Sequence, residues 1–348
     1  MVTRILAVIV GSIGVGWVLT SAIRTVVIPR PERVWITTGS FELARRGANA
    51  LASRVAPRRR HAILGTFAPT VLITLPLIWS FGLIGFFAAI YWGADVGSVQ
   101  ESIELSGSAL TTLGFASAPS FGTRLLVIAQ GLIGLAIVAL MISFLPSLYS
   151  TFSRREIAVG RLMTRAGSPP TPATFVARLH AIGRLHHVGE RWEDWEDWFV
   201  ELGETHTSFP ALIYFRSASP ERSWITAAET ALDTAALVAA ADLAPSSGQA
   251  DTMIRSGYLA LRSIADFYRI EPERDPDDAE AISVNRSDFE SALDELEAAG
   301  LPATADRDAA WSTFAGWRVN YDRSICGLRD LIGDVPSCWI NADEQSGS

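Results

Sequence analysis

Residues 108–120 read SALTTLGFASAPS, a run of small and hydroxylated side chains between two of the most hydrophobic stretches of the chain. It is too polar to cross a bilayer and too apolar for a surface loop. Backbone that leaves a helix at membrane depth is tolerated only where it is buried in protein or lines water, so the run reads as a re-entrant loop and a functional candidate. A second set, His180, His186, His187 and Glu190, offers nitrogen and oxygen donors. It has no recognised ligand spacing, and these residues read as solvated or packed side chains. Trp192, Trp195 and Trp198 stand at helical spacing among acids and read as core or subunit interface, not as a ligand box.

The elements that must hold the loop are legible on both sides. Ser98 to Thr112 has helix-compatible composition and is too short to span; Ser98 and Glu101 stand at capping-box spacing, and Glu101 and Glu104 suit the positive end of the helix dipole. Three stretches are long enough to cross about 30 Å of hydrocarbon: between Arg4 and Arg24, from about Ala62 to Trp92, and from about Leu125 to Tyr149. The second is longer than needed and should tilt, kink or protrude, with Pro69 and Pro76 as places to kink.

Charge sets the orientation. Up to Arg155 there are 13 Arg against 5 acidic residues, and from Glu156 onward 16 Arg against 32. Arg30, Arg33, Arg45, Arg46, Arg54, Arg58, Arg59 and Arg60 lie between the first two spans, and Arg154 and Arg155 follow the third. By the positive-inside rule both clusters are cytoplasmic. The N-terminus and residues 93–120 are then outside. A cleaved signal peptide at the N-terminus, the rival reading, would put both clusters on the wrong side. The acidic second half disfavours nucleic-acid binding. Cys326 and Cys338, far from any span, read as reduced thiols of a cytosolic domain.

With that frame in place, Thr112-Leu113-Gly114-Phe115-Ala116 resembles the selectivity filter of the potassium channel family, Thr-Val-Gly-Tyr-Gly after a short pore helix. Pro119, Gly122 and Arg124 fall where that family often has a proline and a Gly-Arg pair, and Gly134 near its hinge glycine. The resemblance covers about residues 62–150. It implies backbone carbonyls and the threonine hydroxyl replacing the water shell of a potassium ion, four copies of the loop around one pore, and so a homotetramer. It departs at Ala116, where a left-handed backbone would cost roughly 1–2 kcal/mol, at Ser117, and at Phe115, which lacks a bracing hydroxyl. The outer end of the filter is then strained or adopts another conformation.

If the third span lines the pore, Ala129, Ile133, Ala136, Leu140, Ser143 and Ser147 form its face at 4, 3 spacing; the same stripe also fits ordinary helix packing. Gly131 and Gly134 permit close packing or a bend, and Pro146 marks a kink and a candidate gate.

After a linker at 166–172 the pattern is helical throughout, with helices expected from Ser219-Pro220-Glu221 to about Asp242, from about Asp251 to Ile270, from a Ser287/Glu290 capping box to Gly300, and from about Arg307 to Ile332. The acidic run Glu271–Glu280 lacks the calcium-loop pattern and reads as a solvated connection. No Gly-x-Gly-x-x-Gly follows a strand, and no catalytic constellation stands out. The sequence thus describes an all-α membrane protein: an N-terminal transmembrane helix at 1–28, a basic cytoplasmic interfacial segment at 29–61, a pore-like domain at 62–155 and a helical cytoplasmic domain at 156–348. The leading expectation is a multi-pass, homotetrameric, potassium-channel-like cation channel in contact with membrane lipid, conducting a monovalent cation, potassium, with weak selectivity as the alternative that Ala116 and Phe115 leave open, with no other cofactor or metal, no enzymatic activity, and a cytoplasmic partner that the sequence does not name. The rival is a non-conducting receptor or scaffold that keeps the pore-domain fold. A transporter would show repeated halves, and none is seen.

Overall fold

The computed structural model describes residues 1–28, 35–55, 57–217, 219–245, 248–271, 282–302, 306–333 and 335–339. Arg30, Arg33 and residues 272–280 of the acidic run lie outside them. Every regular element among the described residues is helical. The chain forms two compact units, 1–150 and 151–348.

The first unit is built on α1 (Val2–Val26), α2 (Trp35–Ala52), α3 (Pro57–Gly93), α4 (Val99–Leu110) and the first part of α5 (Phe121–Ala166). Three of these, α1, α3 from Arg59 onward, and α5, are long and apolar enough to cross a membrane. Because lipid removes the hydrophobic drive for helices to associate, such helices pair through small residues that admit close approach. That is how α1 meets α3: a Cβ on Gly11 would stand 2.6 Å from the Phe86 carbonyl, one on Gly14 2.2 Å from the Phe86 ring, and one on Gly93 2.6 Å from the Arg4 carbonyl. Trp79 Nε1 donates to Ser21 Oγ at 3.2 Å further along. The two helices are therefore antiparallel, and α1 covers only the part of α3 beyond about Leu75. The earlier part of α3 is paired with α2, which buries Phe41 and Ala52. Thr25 Oγ1 and Thr37 Oγ1, 2.6 Å apart, tie the end of α1 to the start of α2. The excess length expected of the second span is real, and α3 stays helical through Pro69 and Pro76.

α5 runs unbroken to Ala166, 17 residues past Tyr149, where the sequence placed the end of the third span. Its last turns supply Val159, Leu162, Met163 and Ala166 to the core of the second unit. The turn at 166–172 consequently lies inside that unit. There α6 (Pro172–Ala181), α7 (Gly189–Ser208), α8 (Trp224–Ala240), α9 (Gly248–Phe267), α10 (Arg286–Ala298) and α11 (Arg307–Ile332) pack around an alanine- and tryptophan-rich interior. Trp192, Trp195 and Trp198 are all buried in it. α11 keeps its expected bounds, whereas α9 starts and ends three residues early.

Two expected caps are corrected. Pro220–Arg222 is a single 3-10 turn, and α8 opens only at Trp224, because the Ser223 hydroxyl accepts from Ile225 N–H at 3.3 Å. α10 begins at Arg286 after Asn285, so Ser287 and Glu290 lie inside the helix, where Glu290 pairs with Arg286 at 2.8 Å. At the other end, Gly300 adopts φ +87°, the left-handed stop that glycine favours.

Candidate functional site

α4 starts as its sequence dictates. Glu101 N–H donates to Ser98 Oγ at 3.2 Å and Ser98 N–H to Glu101 Oε2 at 2.6 Å, a reciprocal cap. Its serines turn inward: Ser102, Ser106 and Ser108 are buried. Ser106 Oγ donates to the Ile84 carbonyl of α3 at 2.9 Å. Gln130 of α5 gives its amide to the Ser106 hydroxyl at 2.7 Å and carbonyl at 3.0 Å, and its Oε1 accepts from Tyr91 OH at 2.9 Å. One buried polar bolt thus fixes α3, α4 and α5 to one another. Each such bond contributes about 1 kcal/mol net, and leaving a buried partner unmade costs about 1–3 kcal/mol.

The end of α4 lies deep. A Cβ on Gly134 would fall 2.2 Å from the Leu110 carbonyl, and one on Gly131 3.3 Å from that of Ala109. Gly134 is thirteen positions into α5, so at 1.5 Å per residue the helix ends about 20 Å along its neighbour. Of the two roles open to these glycines, close packing is the one they serve here.

From that depth the chain turns back. Thr112 (φ +59°) and Gly114 (φ +71°) are left-handed, whereas Ala116 is not among the positive-φ residues. The strain expected at Ala116 therefore falls on Thr112, and the outer end takes the other conformation. Ser108 sets it: its carbonyl accepts from Gly114 N–H at 3.4 Å and its hydroxyl from Ala116 N–H at 3.1 Å. With those two amides turned toward α4, the carbonyls of Leu113, Gly114 and Phe115 accept no hydrogen bond among the described residues. Thr112 to Phe115 are exposed, Leu113 by 71% and Phe115 by 66%. The loop returns to α5 through a cap that the sequence reading missed. Thr123 N–H donates to Ser120 Oγ and Ser120 N–H to Thr123 Oγ1, each at 3.2 Å, and the S-x-x-T spacing was its signal. Arg124 reaches back to the Ala118 carbonyl at 3.3 Å.

Along α5, Gln130, Gly134, Ile137, Phe144 and Leu148 are buried. On one flank of this seam lies the expected stripe, with Ala129, Ala136, Ser143 and Ser147 exposed and Ile133 and Leu140 half-buried. The Ser143 and Ser147 hydroxyls donate to carbonyls of their own helix at 2.9 and 3.0 Å. The other flank exposes large apolar residues, Ile128, Leu135, Val138 and Ile142. Pro146 is exposed within the helix.

In the second unit the histidines do not assemble. His187 Nδ1 pairs with Glu190 at 3.2 Å and its ring lies 4.2 Å from that of His186, while His180 sits beside Gly300. The described residues that do bring three ligand atoms together are Glu229, Asp233 and Cys338, all buried. Their donor set does not fit a metal. Arg318 and Ser337 occupy Glu229 Oε1, Arg329 and the Cys338 N–H occupy Oε2, and Asp233 holds Arg318, Tyr321 and the Trp339 indole. Burial pushes the Cys338 thiol well up, helped by both carboxylates, so it stays protonated. Burial opposes ionisation of Glu229, yet Arg318 and Arg329 outweigh it and hold the carboxyl at about 2. Asp233 goes the other way, raised by burial against the pull of Arg318. The cluster is an internal ion-pair network that clamps residues 337–339 onto α8. Both thiols are free. A second buried group, Arg155, bonds the Leu212 and Phe215 carbonyls at 3.0 and 2.6 Å and lies 3.3 Å from His206 Nε2.

A scan against protein-family models and searches of curated proteins and of solved structures found no match to this chain.

Proposed function

We propose that the chain is one subunit of a homotetrameric cation channel of potassium-channel type, in which residues 112–116 form the ion path. The observation that carries this reading is a half-crossing helix, negative at its C-terminal end, that delivers the three unpartnered carbonyls of Leu113, Gly114 and Phe115. Backbone oxygens without donors are costly at membrane depth unless water or an ion meets them, and a monovalent cation such as potassium does so. The small and hydroxylated flank of α5, from Ala129 to Ser147, would face the conduit and its large apolar flank lipid, with Pro146 at the gate. The basic segments put the second unit in the cytoplasm, where it assembles or regulates the pore. Planar-bilayer recording in asymmetric potassium and sodium tests this. A reversal potential near that of potassium is expected, and absence of current from well-folded protein refutes it.

One observation favours a non-conducting receptor or scaffold instead: with Thr112 left-handed and Ala116 tied to Ser108, the loop departs from the repeating carbonyl ladder that the resemblance implies. That reading predicts no potassium flux into liposomes even after the second unit is removed.

A further inference from the structure

The outward face of α2 has no function in the channel reading. Gly39, Leu43, Arg46, Gly47 and Ala50 recur at helical spacing and all are exposed, Leu43 by 75%, with Leu51 exposed by 56% at the edge. The stripe contains no acid. The one carboxylate within α2, Glu42, is shared by Arg45 and Arg46 at 3.1 and 2.9 Å, and those two guanidinium groups hold it below the usual carboxylate range although burial works the other way. In the turn after α2 and at the start of α3, Arg54 and Arg59 are exposed and have no ion-pair partner among the described residues. No acid stands in the first turn of α3 to offset them, and cations at the positive end of a helix are disfavoured without a counter-anion.

Position supplies the partner. α1 has 25 residues, about 37 Å of helix and enough to cross a bilayer; its end at Thr25 is bonded to Thr37 of α2. α2 therefore begins where a membrane-length helix ends. An amphipathic helix at that boundary, with leucines outward and two unpaired arginines following it, has the composition of an interfacial helix.

We propose that α2 and the following turn dock on the anionic phospholipid surface of the leaflet. Leu43 and Leu51 enter the acyl boundary, and Arg54 and Arg59 bind the headgroup phosphates. This holds whether or not the loop conducts.

The test is native mass spectrometry of the full chain in detergent, titrated with dioctanoyl phosphatidylglycerol, dioctanoyl phosphatidylcholine or inorganic phosphate. The wild type should retain phosphatidylglycerol preferentially. Each arginine near a charged surface contributes about fivefold, so Arg54→Gln/Arg59→Gln should lower that preference by about thirtyfold and Arg59→Gln alone by about fivefold. Arg54→Lys/Arg59→Lys should keep it, as should Arg255→Gln in the second unit. Equal retention of the two lipids by the wild type, or an unchanged preference in the glutamine variants, overturns the proposal. Displacement of phosphatidylglycerol by millimolar inorganic phosphate would also overturn it, in favour of a soluble ligand.

Discussion

Replacing Ser108 by alanine removes one atom that holds the outer half of the loop. The Ser108 hydroxyl is buried and takes the Ala116 N–H at 3.1 Å. In Ser108→Ala that amide loses its acceptor, a loss of about 1 kcal/mol per chain and up to about 3 if water cannot replace it. In the proposed tetramer four chains share one ion path, so the loss sums to about 4 kcal/mol around the ring. That is enough to populate loop conformers whose carbonyls no longer converge, since each 1.4 kcal/mol is a factor of ten. The assay is the potassium-to-sodium permeability ratio from reversal potentials, which protein yield does not affect. Ser108→Ala should lower the ratio at least tenfold, and Ser108→Thr, which keeps an oxygen there, should restore most of it. An alanine variant with the wild-type ratio would refute the reasoning, because the hydroxyl would then position nothing that ions meet.

Further expectations follow from the packing and the buried charges. Gly134→Ala sets a Cβ against the Leu110 carbonyl and should lower the melting temperature in detergent by several degrees, whereas Gly122→Ala, with open space around it, should change nothing. Arg318→Leu takes from Asp233 its one ion-pair partner among the described residues, leaves Glu229 with Arg329 alone, and should cost about 3–5 kcal/mol in denaturant titration; a loss under 1 kcal/mol would mean that the network is not closed as described. Burial, with Arg155 adding to it, holds the His206 imidazole at about 3, far below its usual 6.5. The unfolded chain then binds a proton that the folded one refuses, and stability falls as pH drops from 6.5 toward 3, by about 2 kcal/mol at pH 5. Glu229, held at about 2, contributes stability that is full above about 4.5 and lost on further acidification, while raised Asp233 acts in the opposite sense. Urea titrations followed by tryptophan fluorescence at pH 7 and pH 5 should show the drop, and His206→Gln should remove the part above pH 4.5.

What the sequence disclosed depended on how local the determinants are. The capping box at Ser98 and Glu101, the left-handed stop at Gly300 and the bounds of α11 depend on neighbours within one turn, and all appear where the pattern puts them. Caps fail where two candidates compete within a few residues: Ser219-Pro220-Glu221 has the better motif, but Ser223 is the cap. At the candidate site, the helix and loop were visible because polarity changes abruptly between apolar runs. The Tyr91–Ser106–Gln130 bolt was not, because its members come from three helices and each alone is an ordinary polar residue. The Glu229–Asp233–Arg318 network was hidden for the same reason, its arginine lying 85 residues beyond Asp233. The one local trace was a Glu and an Asp four apart on an otherwise alanine-rich helix.

The central claim is that the carbonyls of Leu113, Gly114 and Phe115 meet a permeant ion on a shared axis. Anomalous diffraction from crystals of the full chain grown in rubidium measures this directly. The account predicts peaks on a fourfold axis within coordinating distance of those oxygens. A loop away from any symmetry axis, with no anomalous peak beside Gly114, would contradict it.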